Sequence, residues 1–224
     1  MKKIAIVLIS FLILGCKNSY EDKKELEAKI EFNQSLADEL KEMEKLDQIA
    51  AYIQQGEYKS MTKEQWQSFK DSVFMTHQKR LKEIFDENGF VGFDLVGKKG
   101  SQDFWLMVQH SDHDIGFQKE VLNKMKEEVA KGNASLNNYA YLVDRVQINT
   151  NEEQIYGTQF TYNEKGQAYP ENISDTTGID ARRKSVGLRP MIERMNEMTE
   201  SHFMMNKALY EGKGITEPQL YSVE

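Results

Sequence analysis

One short segment concentrates residue types that move protons or bind metals: Gln109-His110-Ser111-Asp112-His113-Asp114. On a helical turn His110 and His113 lie on the same side, because they are three residues apart, and Asp114 is a neighbour of His110. A histidine held by a carboxylate is typical of a general base. Two imidazoles can also bind a divalent metal when a third ligand is supplied.

Three interpretations of this segment stay open. His110, Asp112, His113 and Asp114 form a metal-free polar or catalytic site; His110 and His113 hold a divalent metal; or Ser111, Asp112 or Asp114 merely caps the next helix. The flanking glutamate and four-residue spacing of zinc-protease helices are missing, so no metalloenzyme class follows. We predict no cofactor.

A second polar group follows about thirty residues later, where Asp144-Arg145 precedes the segment Gln154–Gln159. Arg145 could pair with Asp112 or Asp114 to buttress the fold, or it could bind an anionic group of a ligand. The neighbouring pair Arg182-Arg183 either joins such a site or is a solvated face of a short helix. The residues predicted to bind a ligand are Asp144, Tyr156, Gln159, Arg182 and Arg183.

Composition limits the class of protein. The 224 residues are 39% hydrophobic, enough for a packed core in one or at most two domains. Lys and Arg number 29 against 36 Asp and Glu, a formal net charge of −7 that is the wrong sign for gripping nucleic-acid phosphates. The single cysteine, Cys16, excludes an intramolecular disulfide and a thiol-based metal cluster.

The N-terminus predicts export. Lys2 and Lys3 precede an apolar run from Ile4 to Leu14, which is typical of a signal peptide and too short for a membrane-spanning helix. The sequence Ile13-Leu14-Gly15-Cys16 resembles a bacterial lipobox, in which the cysteine becomes lipidated. We therefore predict a protein that is anchored through Cys16 to a membrane of the cell envelope. The sequence favours the outer over the inner membrane. An ordinary signal peptide or an N-terminal anchor is the alternative.

Hydrophobic periodicity predicts helices over most of the chain. A thin apolar stripe runs from Glu21 to about Gln55, and a capping box of Thr62 and Gln65 begins a helix that ends near Gly89. On this second helix His77 lies on the apolar face, and we interpret it as a core residue with one satisfied hydrogen bond.

The next segment, residues 89–100, contains four glycines and predicts a loop. From about Gln102 a short helix is apolar on all sides, which predicts a central, buried element. Two further helices follow, outlined by Phe117–Val129 and Leu136–Val146.

The pattern changes after these helices. Residues 154–162 read as a strand and 163–166 as a turn into residues 167–169, so we predict one β-hairpin. Asp180 can cap a helix that ends at Gly187, and Pro190 fits the first turn of a last helix reaching about Tyr210.

We therefore predict a mainly α (α+β) fold: a single helical domain of about six helices with one small β-hairpin. The domain boundaries are a lipoprotein signal peptide over 1–15, a lipidated tether over 16–20, the globular domain over 21–211 and a loose tail over 212–224.

Four segments, in this order and spacing, resemble an uncharacterised bacterial family, domain of unknown function 6624. They are Trp105–Gln118, Ala140–Val146, Gln154–Gln159 and Ile179–Leu188. The resemblance covers roughly residues 40 to 196 and implies a shared fold and a shared pocket, assembled from His110, Asp112, Asp144, Arg145, Tyr156, Gln159 and Arg183. It supplies no activity.

Three functions follow from these observations. The first is a lipid-anchored envelope domain whose polar pocket binds a small ligand or a protein partner. The second is a hydrolase in which His110, aided by Asp112 or Asp114, is the general base and Arg145 stabilises negative charge. In the third, the polar cluster is purely structural.

Overall fold

The computed structural model describes residues 31–173 and 175–222, and the described residues from Phe32 onward form one compact unit. The predicted signal peptide, the tether with Cys16 and the first turns of the predicted N-terminal helix lie outside the described residues. The fold is mainly helical with one small hairpin, which confirms the predicted class. Among the described residues no helix is both long and apolar enough to cross a membrane.

The described residues form eight α-helices, two strands and one 3₁₀ turn, so the predicted number of about six helices was too low. The helices are α1 (Gln34–Ala51), α2 (Lys63–Asn88), α3 (Phe93–Gln109), α4 (Ile115–Ala130), α5 (Leu136–Asn149), α6 (Ile179–Ser185), α7 (Met191–Met205) and α8 (Lys207–Glu211); the strands are β1 (Phe160–Tyr162) and β2 (Ala168–Pro170); the 3₁₀ turn is Gly56–Ser60.

Side-chain caps fix where several helices begin. Thr62 and Gln65 form the predicted capping box at the start of α2, and each side chain accepts from the other's backbone N–H. Asn33, Asp114 and Ser135 accept backbone N–H groups at the starts of α1, α4 and α5. Each cap satisfies a donor that the helix itself leaves free.

The loop predicted for residues 89–100 is confirmed for residues 89–92 and wrong from Phe93 onward, because α3 begins at Phe93 and continues through a kink at Gly97, where φ is +72°. The loop between α4 and α5 supplies the missing cap: Phe93 N donates to the carbonyl of Asn133 (2.9 Å) and Asp94 N to its side chain (2.9 Å). A tertiary contact thus outweighs the unfavourable local effect of the glycines.

Helix α3 is the centre of the core. It packs against α1, α2, α4 and α5, as its apolar sequence predicted. Phe104, Met107 and Val108 on α3 are buried together with Leu40 of α1 and Leu81 of α2. The C-terminal end of α3 delivers His110 to the junction of these helices, since His110 is the residue that ends it.

The hairpin is shorter than predicted. Strands β1 and β2 pair antiparallel with Thr161 opposite Tyr169, whereas residues 154–159 form a loop. Ala168 N donates to the Thr199 hydroxyl (2.9 Å), which fastens the hairpin to α7. The prediction that Asp180 caps its own helix is wrong: Gly178 precedes α6, and Asp180 Oδ1 accepts from Met191 N (2.7 Å) at the start of α7.

The last predicted helix is divided at Asn206 into α7 and α8. Within the tail, Tyr221 exchanges two hydrogen bonds with the Asn196 side chain: Tyr221 N donates to Oδ1 (2.8 Å) and its carbonyl accepts from Nδ2 (2.9 Å). This part of the tail therefore lies against α7.

Candidate functional site

The central feature of the site is a hydrogen bond between two helices. His110 Nδ1 lies 2.6 Å from Oδ2 of Asp47 on α1. Asp47 is fully buried, whereas 22% of the His110 side chain is exposed. The Phe74 ring on α2 lies against the imidazole, with 5.4 Å between ring centroids. The imidazole is thus fixed on two sides and still reaches solvent.

Two neighbouring histidines favour the ionised form of Asp47. Burial by itself would raise the pKa of the Asp47 carboxyl, but the interactions with His110 and His77 outweigh it and hold the pKa below its usual value. His77 Nδ1 lies 4.0 Å from Asp47 Oδ1, too far for a hydrogen bond, and it has no partner among the described residues. His77 is therefore buried as predicted, but the one hydrogen bond expected of it is not formed among the described residues.

A pocket of about 430 Å³ opens beside His110. The walls come from α2, from the loop after α3 and from α5, and the lining residues are Asp71, Phe74, Met75, His110, Asp112, His113 and Arg145. Four of the five residues predicted as catalytic therefore meet in one pocket. The fifth, Asp114, is not part of its lining.

A larger groove of about 600 Å³ lies at the end of α1 and along the 3₁₀ turn. Ile49, Tyr52 and Ile53 contribute to its walls, and none of its lining residues is a histidine or an arginine. The imidazoles and the arginine of the predicted site therefore line the smaller pocket and not this groove.

Arg145 on α5 is held by an extensive hydrogen-bond network. Its Nε donates to Asp112 Oδ1 (2.8 Å), its Nη2 donates to Asp112 Oδ2, and its Nη1 donates to Gln159 Oε1 (3.1 Å). Nε also donates to the carbonyl of Gln109 (3.2 Å). Asp112 is thus the partner of Arg145, and all three guanidinium nitrogens have protein acceptors. Arg145 fixes the wall of the pocket.

Gln78 on α2 connects the two remaining polar residues of the segment. It donates to Asp114 Oδ2 (2.8 Å), and its Oε1 lies 3.3 Å from His113 Nε2. Asp114 Oδ1 accepts from Phe117 N (2.9 Å), so the capping interpretation applies to Asp114. In residues 31–173 and 175–222 no group of three or more His, Cys, Asp or Glu side chains could hold a metal ion.

Asp144, predicted as ligand-binding, is fully buried and serves the backbone of the loop over residues 154–159. Its carboxylate accepts from the backbone N–H of Ile155 (2.8 Å), Tyr156 (3.1 Å) and Thr158 (2.9 Å). Despite these bonds, burial raises the pKa of the Asp144 carboxyl. The loop in turn presents Gln159 to Arg145, so Asp144 positions the pocket without lining it.

The two adjacent arginines also act on this loop. Arg182 donates to the carbonyls of Ile155 (2.9 Å), Thr177 (2.6 Å) and Asp175 (2.7 Å). Arg183 is buried and donates to the carbonyl of Tyr156 (2.7 Å). Neither arginine lines the His110 pocket, and of the predicted ligand-binding residues only Gln159 bonds to a lining residue, Arg145.

Comparison with family models matches residues 34–207 to the Family of unknown function (DUF6624). The chain belongs to this family. No curated protein and no solved structure matches the chain. The DUF6624 match includes every residue of the His110 pocket and all helices from α1 to α7. It confirms the family resemblance of the sequence.

The sequence reasoning missed the buried partner of His110, Asp47. A signal was present, because Leu36, Leu40, Met43, Asp47 and Ala50 follow one another at helical spacing along the apolar face of α1. An aspartate on such a face needs a buried partner. The same argument applies to His77 on α2, and the two positions meet in the fold.

Proposed function

We propose that the His110 pocket is a hydrolytic active site in which His110 is the general base. The observation that carries this proposal is the 2.6 Å contact between His110 Nδ1 and the fully buried Asp47 carboxylate. A base oriented by a carboxylate, with its other face toward a pocket, has the geometry that proton abstraction needs. This proposal replaces Asp112 and Asp114 with Asp47 as the partner of His110.

The tautomer follows from the charge of Asp47. Because its pKa lies below the usual value, this carboxyl is ionised at neutral pH and can only accept a hydrogen bond. Nδ1 of His110 must then carry a proton, and in the neutral imidazole Nε2 keeps its lone pair. Nε2 has no hydrogen-bond partner in the described part of the chain. It is therefore available to take a proton from water as the water oxygen attacks the substrate. The imidazolium that forms, stabilised by Asp47, returns this proton to the leaving group as the scissile bond breaks.

The walls of the pocket favour a neutral or cationic substrate group. Asp71 and Asp112 bring two negative charges and Arg145 one positive charge, a formal sum of −1 with neutral histidines. Phe74 and Met75 add apolar surface for the uncharged part of a substrate. Arg145 is engaged by Asp112 and Gln159, so we assign it to holding the wall and not to stabilising the transition state.

The test is a hydrolysis panel on the full-length chain. Chromogenic nitrophenyl esters, phosphodiesters and glycosides and nitroanilide amides represent four bond classes. We expect turnover of at least one class, and a loss of about 100-fold or more in His110→Gln and in Asp47→Asn, the range for general-base catalysis. His202→Gln is the matched control, because its ring stacks on Tyr162 with 3.7 Å between centroids and does not line the pocket.

Two results would overturn the catalytic proposal. One is the absence of hydrolysis in all four classes by the wild-type chain. The other is a His110→Gln rate equal to that of wild type, since a general base cannot be removed without a change in rate.

Ligand binding without catalysis is the second candidate function. It is favoured because all three guanidinium nitrogens of Arg145 already donate to protein acceptors, which holds this side chain in the wall of the pocket and not on a substrate. A thermal-shift screen of the full-length chain with divalent metals, nucleotides, sugars and peptidoglycan fragments tests it. A stabilising compound that is not hydrolysed, and whose shift is lost in His110→Gln, supports binding alone. No shift with any compound would contradict it.

We further propose that the chain is attached to the cell envelope by a lipid on Cys16, as the N-terminal sequence predicts. Replacing Cys16 by serine should move the protein from the membrane fraction to the soluble fraction. Continued tight membrane association of Cys16→Ser would contradict lipid anchoring.

A further inference from the structure

Arg183 on α6 is a buried cation without a buried counter-charge in contact. Only 1% of it is exposed. Its Nε donates to the carbonyl of Arg189 (2.7 Å), and its Nη1 donates to the carbonyls of Tyr156 (2.7 Å) and Gly157 (3.0 Å). In the described part of the chain no carboxylate forms a salt bridge with Arg183, and its Nη2 has no hydrogen-bond partner. The two N–H donors of Nη2 are thus without a protein acceptor.

Arg183 forms part of the wall of a separate, polar cavity of about 220 Å³. The lining residues are Asn137, Tyr141, Arg183, Gly187, Leu188, Arg189 and Arg194. A cavity of this size can hold a small oxyanion group together with a few water molecules. None of its lining residues is shared with the His110 pocket.

The other two arginines of the cavity share a single acid. Arg189 Nη1 and Arg194 Nη1 both pair with Glu197, the latter at 3.1 Å. The Nε of Arg194 is buried and has no hydrogen-bond partner among the described residues. Three guanidinium groups therefore have one carboxylate in direct contact. A buried N–H without an acceptor is unfavourable and calls for a partner that the polypeptide does not supply.

We propose that this cavity binds an oxyanion, a carboxylate or phosphate group carried by a small ligand. Guanidinium groups match such anions because their N–H donors are planar and can contact two oxygens at once. Arg183 Nη2 is a donor without a protein partner on a residue of the cavity wall, and Arg194, which also lines the cavity, adds a second guanidinium charge. Because the two pockets share no residue, the inference does not depend on the proposed hydrolytic function.

The experiment is calorimetric titration of the full-length chain with inorganic phosphate and, separately, with acetate. Ionic strength is held constant with sodium chloride, since salt screens exposed charges. We expect saturable binding of at least one anion, and the anion that binds more tightly identifies the chemistry of the ligand group. Arg194→Gln should weaken binding about tenfold or more, because it removes a charged donor from the cavity.

Two further variants make the outcome decisive. Arg80→Gln is the matched control: it removes the same charge and breaks an ion pair with Glu39, on helices that contribute nothing to the cavity. It should bind as wild type does. Arg194→Lys keeps the positive charge, so it preserves the pairing with Glu197, but it loses the planar pair of donors and should bind with intermediate affinity.

The proposal is overturned if neither phosphate nor acetate binds the wild-type chain under these conditions. It is also overturned if Arg194→Gln and Arg80→Gln bind the anion equally well, because binding would then arise from general surface charge and not from this cavity.

Discussion

Replacing Asp47 by asparagine is expected to lower the free energy of unfolding at neutral pH. The difference in this free energy between wild type and Asp47→Asn is expected to become smaller as the pH falls. The substitution preserves the size of a side chain that is fully buried. It removes the charge that accepts the 2.6 Å hydrogen bond from His110 Nδ1. Stability and tautomer therefore change together, while the packing around α1 stays the same.

The magnitude follows from the type of hydrogen bond. A bond to a charged group contributes about 1.5–3 kcal/mol and a neutral one about 0.5–1.5 kcal/mol. Exchanging one for the other at Asp47 should cost about 1–2 kcal/mol at pH 7. For a chain of this size that loss corresponds to a decrease in Tm of about 2–8 °C.

The pH dependence follows from the direction of the pKa shift. Because the pKa of Asp47 is lowered in the folded protein, its carboxylate stabilises the fold above the pKa of the unfolded chain. That contribution is lost as the pH falls through the folded-state value. The difference between wild type and Asp47→Asn should therefore be full at pH 7 and shrink below about pH 4.

The assay is urea unfolding of wild type and Asp47→Asn at a series of pH values. Asp38→Asn is the control, because the substitution removes the same charge from the same helix at a residue that is exposed. The reasoning is refuted if Asp47→Asn is as stable as Asp38→Asn at pH 7. It is equally refuted if the Asp47→Asn deficit is the same at pH 7 and pH 3.

Three further predictions concern the core, the loop and the tail. Leu40→Ala should lower the free energy of unfolding, measured in urea, by about 2–5 kcal/mol, because Leu40 is fully buried. The control Leu209→Ala, at a residue that is 58% exposed, should change it by less than about 0.5 kcal/mol. Equal effects of the two substitutions would contradict the packing described. Asp144→Ala should cost about 3 kcal/mol or more, since it strands three backbone N–H groups, and a loss below about 1 kcal/mol would argue against their burial. Asn196→Ala should speed proteolysis near Tyr221 without lowering Tm appreciably, as followed by mass spectrometry; unchanged cleavage would mean that this contact does not hold the tail.

Local signals predicted some elements to the residue. The capping box of Thr62 and Gln65 begins α2, and Gly89 ends it, because both signals act through bonds within the same few residues. Residues 93–100 were mispredicted as a loop because the cap of α3 comes from Asn133, about forty residues away. Residues 154–159 resemble a strand, but the Asp144 carboxylate takes the N–H groups that a neighbouring strand would need.

For the candidate site, local sequence identified the residues, and the fold decided how they pair. Sequence alone identified His110, Asp112, His113 and Arg145, because polar residues beside a strongly apolar helix stand out locally, and the four line one pocket. It offered both Asp112 and Asp114 as partners for Arg145. The fold decided for Asp112 and gave Asp114 to the cap of α4.

The sequence by itself determined the fold class, the family and the segment that carries the imidazoles, since each depends on periodicity or on residues adjacent in the chain. Only the tertiary structure decided which acid holds His110. Asp47 precedes it by 63 residues, and the two meet because α1 and α3 bury their apolar faces against each other. Burial of apolar surface decides that α1 packs against α3, and no pattern of neighbouring residues in the sequence encodes this packing. The contact between the two helices brings the Asp47 carboxylate to 2.6 Å from the His110 imidazole.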